Sequence, residues 1–161
     1  MHQEIALPET MKIDFFVVRP EEKVAALLYF LSNVVKNDKV IVFVSTRFHV
    51  DYLLALVGEL HTCYGVYGKM DMEMRTFALD NFRKKKKSVL IVTDVAARGL
   101  DIPEVNYVIH YDYPSNSQIF VHRSGRTARA EKSGQTIALI SYHEMPYMVD
   151  LGHYVSKKVA N

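Results

Sequence analysis

The chain of 161 residues has one cysteine, Cys63, and no apolar run that approaches the roughly 20 residues of a membrane-spanning helix. A single cysteine excludes an internal disulfide and fits a compartment in which thiols stay reduced. The opening stretch MHQEIALPET lacks the basic-then-apolar pattern of a signal peptide. We therefore expect an intracellular protein that is neither secreted nor held in a membrane.

A strong excess of one charge is also missing. The 20 basic and 18 acidic residues leave a formal net charge of +2 at pH 7, so an anionic partner would need locally clustered basic side chains. The densest cluster is RKKKK at Arg83–Lys87. The sequence leaves three interpretations of this cluster open: a solvated junction between a helix and a strand, a patch that faces phosphates, and a nuclear-import signal.

Short apolar runs alternate with segments of helical periodicity along the chain. Strands are predicted at 12–18, 39–45, 61–66, 88–93, 106–111 and 135–141. Helices are predicted from Pro20, around 50–57, at 72–82 with Asp71 as its cap, at 116–123 and at 144–158. This order predicts an α/β fold of three αβα layers with a mostly parallel central sheet. We expect one domain over 12–161, preceded by a flexible segment over 1–11.

The stretch TDVAARGLD, Thr93–Asp101, follows directly on a predicted buried strand. Ligands of parallel α/β folds bind beyond the carboxyl ends of the strands, where this stretch falls. Thr93 and Asp94 can cap the segment that follows or face a phosphate. Arg98 can reach an anion, and Asp101 can accept hydrogen bonds from sugar hydroxyls. An ordinary capped turn explains the same residues, so this stretch alone does not decide the function.

The stretch HRSGRTARA, His122–Ala130, places arginines at 123, 126 and 129. On a helical turn, steps of three residues drift by about 60°, so the three guanidinium groups are predicted to point into one arc. Gly125 favours the end of the helix there. Arginine binds phosphate through two parallel hydrogen bonds and stabilises the charge that develops in phosphoryl transfer.

Taken together and in this order, the two stretches closely resemble motifs V and VI of DEAD-box RNA helicases. VFVST (Val42–Thr46) resembles motif IV, and YGKMDMEMR (Tyr67–Arg75) is similar to the segment usually written HG…Q..R. The resemblance extends from residue 12 to about residue 158. It implies a RecA-like fold and identifies the chain as the second, C-terminal lobe of such a helicase.

The resemblance also implies roles for individual residues. Arg126 and Arg129 would contact the γ-phosphate of ATP, with Arg129 as the arginine finger, and Asp101 would meet the ribose. The sugar–phosphate backbone of RNA would lie along Thr46, Arg75, Thr93 and Arg98. Structural or interlobe roles would fall to Asp94, His122, Arg123 and Gly125.

Three positions depart from the family pattern: Tyr67 replaces the usual His, Met72 the usual Gln and Ala128 a frequent Gly. The tail SYHEMPYMVDLGHYV is similar to helicases of the large-ribosomal-subunit assembly branch. That similarity implies ribosome-assembly factors as partners and the nucleus or nucleolus as the location.

The chain has neither a GxxxxGK[ST] P-loop nor a DEAD tetrapeptide, both of which belong to the first lobe of the family. Phosphoryl transfer needs the phosphate cradle, the metal and the finger together. We therefore expect a monomeric fragment that hydrolyses no ATP alone, with ATP and Mg²⁺ held mainly by the first lobe. His61 and Cys63 are too few for a zinc site, and no metal site is predicted. The alternative is a non-catalytic RNA-binding or protein-docking module with a RecA-like fold.

Overall fold

The computed structural model of the chain describes residue 7 and residues 11–98, 100–127 and 134–159, with side chains only as far as residue 155 in the last helix. The strands within these residues are β1 (Met11–Val17), β2 (Lys39–Val44), β3 (Cys63–Val66), β4 (Ser88–Thr93), β5 (Tyr107–His110) and β6 (Gly134–Ile140). The α-helices are α1 (Lys23–Phe30), α2 (Arg47–Gly58), α3 (Met72–Lys84), α4 (Asp94–Ala97), α5 (Ser117–Ser124) and α6 (Met145–Val159). Short 3₁₀ turns precede α1 and α6, at Pro20–Glu22 and Tyr142–Glu144.

The strands form a sheet of order β1-β6-β5-β2-β4-β3, and every neighbouring pair is parallel. The inner strands β2 (KVIVFV) and β4 (SVLIVT) are nearly continuous apolar runs, as expected where both faces of a parallel sheet are covered. The described part of the sheet is therefore entirely parallel, and the predicted α/β class is confirmed.

Alternate side chains of β2 show how the layers form. Val40, Val42 and Val44 are fully buried against α1 and α2 on one face. Ile41 and Phe43 are buried with side chains of α3 and α4 on the other face. Helices α5 and α6 cover the second face further along the sheet, around Phe120 and Leu151. The predicted three-layer αβα architecture is confirmed.

Helix boundaries follow side-chain signals in the sequence. Asp71 caps α3 by accepting a hydrogen bond of 2.9 Å from the Glu73 amide. Asn116 caps α5 in the same way through the Ile119 amide, also at 2.9 Å. Helix α5 ends at Ser124 with Gly125 as its cap residue, as predicted.

The sequence predicts Thr93 as a side-chain cap for the segment after β4, but the structure differs. Thr93 occupies the cap position of α4 without a side-chain capping bond. The four-residue helix α4 is not predicted from the sequence, because its length is below what periodicity can reveal.

Strand β1 begins at Met11, one residue before the predicted strand over 12–18, and Met11 pairs with Gly134. Leu7 packs against the cluster around Phe120. The rest of the predicted flexible segment over 1–11 lies outside the described residues. Among the described residues, no helix is long and apolar enough to cross a membrane.

Because all pairings are parallel, the carboxyl ends of the strands lie along one edge of the sheet and their amino ends along the other. We call these the carboxyl edge and the amino edge. At about 3.3 Å per residue, the six residues of β4 separate the two edges by about 17 Å. Most of the predicted site residues fall at the carboxyl edge.

Candidate functional site

An ion pair joins the stretch after β4 to the end of α5. The Arg123 guanidinium donates two hydrogen bonds to the Asp94 carboxylate, from Nε to Oδ1 at 2.6 Å and from Nη2 to Oδ2 at 2.7 Å. The Arg123 side chain is 2% exposed. This two-pronged geometry is specific to arginine, and it fixes TDVAARGLD against HRSGRTARA.

The remaining contacts of Arg123 explain how the charge is tolerated inside the protein. Its Nη1 donates to the carbonyl of Asp112 at 2.7 Å and lies 3.4 Å from Nδ1 of His110. The guanidinium also lies 5.1 Å from the centre of the Phe43 ring. A buried charge is costly unless its partner and its hydrogen bonds are all supplied, as they are here.

The predicted common arc of three arginines is wrong for Arg123. Its guanidinium turns inward to the sheet, whereas Arg126 lies beyond the end of α5 with Nη2 3.2 Å from Nε2 of His122. The angular argument assumed a continuing helix, and α5 ends between the two residues. Arg129 lies outside the described residues.

His110 is the buried partner on the other side of Arg123. Since a guanidinium only donates, Nδ1 of His110 accepts, and Nε2–H donates to the Ser124 hydroxyl at 3.2 Å. The ring stacks on Phe120, with 4.2 Å between the ring centres. Burial, together with the charge of Arg123, holds the pKa of His110 well below its usual value.

The depressed pKa of His110 predicts a loss of stability in acid. Below the ordinary histidine pKa of 6.5, the unfolded chain binds a proton at residue 110 that the folded chain does not. We expect this residue to lower the free energy of unfolding by up to about 1.4 kcal/mol per pH unit as the pH falls below that value.

Urea denaturation between neutral and mildly acidic pH checks the expectation. His110→Asn retains an acceptor near Arg123 but cannot titrate, so its stability should fall less steeply with acid than that of the natural chain. Parallel pH profiles for the two proteins would contradict the assignment.

Asp112 connects the carboxyl ends of β5 and β2. Its Oδ2 accepts a hydrogen bond of 2.8 Å from the Ser45 amide and lies 2.5 Å from Nδ1 of His49. Thr46 follows Ser45 in the chain and is exposed. Its hydroxyl caps α2 by accepting a hydrogen bond of 3.2 Å from the His49 amide. The position of Thr46 is therefore set from two sides.

Arg75 lies in the first turns of α3 and is half-buried. Its Nη2 donates to the carbonyl of Gly68 at 2.7 Å and lies 3.4 Å from that of Tyr67, while its buried Nε has no hydrogen-bond partner in the structure. The side chain thus holds the loop after β3 in place. Met72, at the position of the family's usual Gln, is 68% exposed.

Thr46, Arg75 and Thr93 follow β2, β3 and β4, which are neighbours in the sheet. The structure therefore brings three of the four predicted RNA-contact residues to one part of the carboxyl edge. Thr93 is 6% exposed, which leaves its side chain little surface for a ligand. Arg98, the fourth, is exposed and follows α4.

Backbone and side-chain contacts hold Arg126 and Thr127 against the segment that precedes β5. The Arg126 carbonyl accepts a hydrogen bond of 3.2 Å from the Val105 amide, and the Thr127 hydroxyl donates to the Asn106 carbonyl at 3.0 Å. The segment after α5 therefore lies beside the segment that follows Asp101. The Asp101 side chain is 98% exposed, with its carboxylate 3.4 Å from Nη2 of Arg83.

Sequence reasoning missed two members of this site, Asp112 and His110. Asp112 follows a predicted strand directly, as Asp94 does, and that shared position is the signal that could have identified it. His110 gives no such signal, because an isolated histidine in an apolar strand has no visible partner. Tyr111 and Tyr113, on either side of Asp112, are buried and pack in the core.

Comparisons with known proteins agree with the fold and the motifs. The chain matches the family described as helicase conserved C-terminal domain over residues 22–131. It is 43% identical over 155 residues to the mouse protein named ATP-dependent RNA helicase DDX54, covering 95% of this chain and 18% of that protein. It is also 43% identical over 150 residues to DEAD-box ATP-dependent RNA helicase 29 of Oryza sativa subsp. indica, covering 91% of this chain and 18% of that protein.

Solved structures show the same similarity. The E. coli DEAD-box protein SrmB, in complex with regulator of ribonuclease activity A, gives a TM-score of 0.81 at 33% identity, covering 91% of this chain and 86% of that one. A DEAD box protein from Methanococcus jannaschii gives a TM-score of 0.84 at 28% identity, covering 91% and 40%. The chain spans about a fifth of the length of the curated relatives it matches.

Proposed function

Because this chain belongs to the helicase conserved C-terminal domain family and is the C-terminal domain of a DEAD-box RNA helicase, we propose that it works as one lobe of a two-lobe, ATP-dependent enzyme. In this proposal it supplies the arginine finger and half of the site for the RNA backbone. A first lobe carries the P-loop and the DEAD sequence. The isolated lobe hydrolyses no ATP.

The observation that most supports this proposal is the two-pronged bond between Arg123 and Asp94. Asp94 directly follows Thr93, at the carboxyl edge with Thr46 and Arg75, and Arg123 precedes Arg126 by less than one helical turn. The bond therefore makes the proposed RNA-contact stretch and the proposed phosphate-contact stretch parts of one rigid unit. Such a unit can move as a body when two lobes close around shared ligands.

The residues present fit the roles assigned to them toward ATP. The exposed Asp101 carboxylate can accept hydrogen bonds from ribose hydroxyls. Arg126 and Arg129 can place positive charge at the γ-phosphate, where charge is spread over oxygens in the transition state. We assign the triphosphate and Mg²⁺ mainly to the first lobe, which supplies the phosphate cradle and the metal needed for phosphoryl transfer.

The proposed RNA contacts explain why binding need not depend on the base sequence of the RNA. Thr46, Arg98 and the half-buried Arg75 can hydrogen-bond to phosphates and sugars, and such contacts position an RNA strand without reading its bases. Two lobes that close on one strand would bend it and separate a short duplex. We propose large-ribosomal-subunit assembly in the nucleolus, with assembly factors as partners, on the similarity of the tail around α6.

ATP turnover tests the division of labour between the lobes. We expect no RNA-stimulated turnover from this chain alone and clear turnover from a protein that joins it to its first lobe. Matched DNA should stimulate the two-lobe protein less than RNA does. Turnover by the isolated lobe would overturn the division of labour, and equal stimulation by DNA would count against RNA as the substrate.

A further inference from the structure

A second basic surface lies at the amino edge, opposite the proposed RNA contacts. Strands β2, β4 and β3 are neighbours that begin side by side, with Lys39 paired to Ser88 and Cys63 paired to Val89. The residues that precede these strands therefore converge. We call the resulting group of lysines the amino-edge patch, and its members are Lys36, Lys39, Lys84, Lys85, Lys86 and Lys87.

Contacts between elements show that the patch is one surface. Lys39 Nζ donates to the Arg83 carbonyl at 2.7 Å and lies 5.4 Å from the centre of the Phe82 ring. Lys36 and Lys87 line the same small cleft as His61. Burial and the charge of Lys87 both lower the pKa of His61. Lysines distant in sequence thus share one electrostatic environment.

Acidic side chains also adjoin the patch. Asp80 and Asp101 are paired with Arg83 at 3.0 Å and 3.4 Å, and Asp38 lines the cleft with Lys36 and Lys87. Six lysines and Arg83 outnumber these three carboxylates, although the whole chain carries a net charge of only +2. Such a local concentration of positive charge attracts a polyanion.

The backbone argues against a linear import signal. Arg83 and Lys84 belong to the last turn of α3, and the Lys85 amide still donates to the Asn81 carbonyl at 3.2 Å. Ser88 already begins β4. Only Lys86 and Lys87 lie fully between the two elements, so the run cannot extend as a peptide into the groove of a carrier. It can act only as part of the folded surface.

We propose that the amino-edge patch binds the phosphate backbone of RNA that continues beyond the strand held at the carboxyl edge. This inference rests on the proposed RNA-binding function and adds a second contact surface to it. The two edges are about 17 Å apart, so a strand of a few nucleotides held at the carboxyl edge does not reach the patch. Longer RNA that wraps the end of the sheet reaches the patch, and its phosphates release counterions when the lysines bind them.

The salt dependence of RNA binding by the two-lobe protein tests the proposal. Lys86→Gln/Lys87→Gln removes two exposed charges of the patch. Lys12→Gln/Arg19→Gln is the matched control, since both residues are exposed, each is paired with an acid, and they lie by β1 at the far end of the sheet. The probes are a fluorescent single strand of about 5 nucleotides, which at about 3.4 Å per nucleotide spans no more than the distance between the edges, and a strand several times longer.

With the longer strand, the patch variant should lower the slope of log affinity against log salt by about 1.4, or about 0.7 for each lost phosphate contact. The control variant should keep the natural slope, and the short strand should not distinguish the proteins. Circular dichroism of all variants establishes equal folding. An unchanged slope of the patch variant on the longer strand would overturn the proposal and leave an acidic protein as the partner of the patch.

The same proteins separate this inference from the proposed function. The patch variant should retain turnover of ATP stimulated by the short strand, because its carboxyl edge is intact. If the natural two-lobe protein shows no stimulation by any RNA, the proposed function fails. If stimulation is normal but the slope is unchanged, only the patch assignment fails.

Discussion

Replacing Arg129 by alanine in the two-lobe protein should lower kcat for RNA-stimulated ATP hydrolysis by about 10³-fold or more, the effect of losing an arginine finger. The loss should appear mainly in kcat, because the finger acts on charge that develops during transfer of the γ-phosphoryl group. KM for ATP should change far less, since the first lobe holds most of the nucleotide. Steady-state kinetics at saturating RNA measures both parameters.

Two further variants sharpen the test of Arg129. Arg126→Ala should also reduce turnover, because the resemblance places Arg126 at the same phosphate. Arg98→Gln is the matched control, since it removes an arginine at the proposed RNA surface. Its main effect should be weaker RNA binding, with kcat largely restored at saturating RNA. Full activity of Arg129→Ala would remove the finger assignment.

Replacing Asp94 by alanine should destabilise the folded chain by about 3–5 kcal/mol, the usual cost of removing one partner of a buried ion pair. The substitution leaves the guanidinium of Arg123 in a site where its side chain is 2% exposed, without the carboxylate that balances it. Urea denaturation of the chain, followed by circular dichroism, measures the change in the free energy of unfolding.

Two comparisons separate the ion pair from other effects of losing Asp94. Asp101→Ala removes a carboxylate that is 98% exposed, and its stability should stay within about 0.5 kcal/mol of the natural chain. Asp94→Leu/Arg123→Met removes both charges together and should recover much of the lost stability. Equal stability of Asp94→Ala and Asp101→Ala would show that the pair contributes nothing measurable.

The helices and strands could be predicted well from the local sequence pattern, because hydrophobic periodicity and the residues that cap helix ends depend only on neighbouring residues. Asp71 and Asn116 mark the starts of α3 and α5, and Gly125 marks an end. Predicted strand and helix limits differ from the observed ones by one or two residues at most positions. The order of the strands did not follow from pattern, because it depends on contacts between residues far apart in the sequence.

The candidate site could be predicted only in part. The spacing of the arginines in HRSGRTARA identified them as candidate site residues, but it also predicted that their guanidinium groups point in one direction. In the structure Arg123 turns inward to Asp94, and the segment of Arg126 lies beside the one that follows Asp101. The end of helix α5 at a single glycine is enough to separate side chains that even spacing would align. The partners of Arg123 lie on three different elements, so no pattern of neighbouring residues predicts them.

The sequence by itself determined the alternation of strands and helices, the helix caps, the motifs that identify the family, and the run of lysines. Each of these depends on residues within one turn, one strand or one short stretch. Only the tertiary structure decided that Arg123 is a buried partner of Asp94, and that lysines from two distant segments, 36–39 and 84–87, meet at the amino edge. Those outcomes depend on which strands become neighbours, and burial of distant apolar faces, rather than local preference, selects that arrangement.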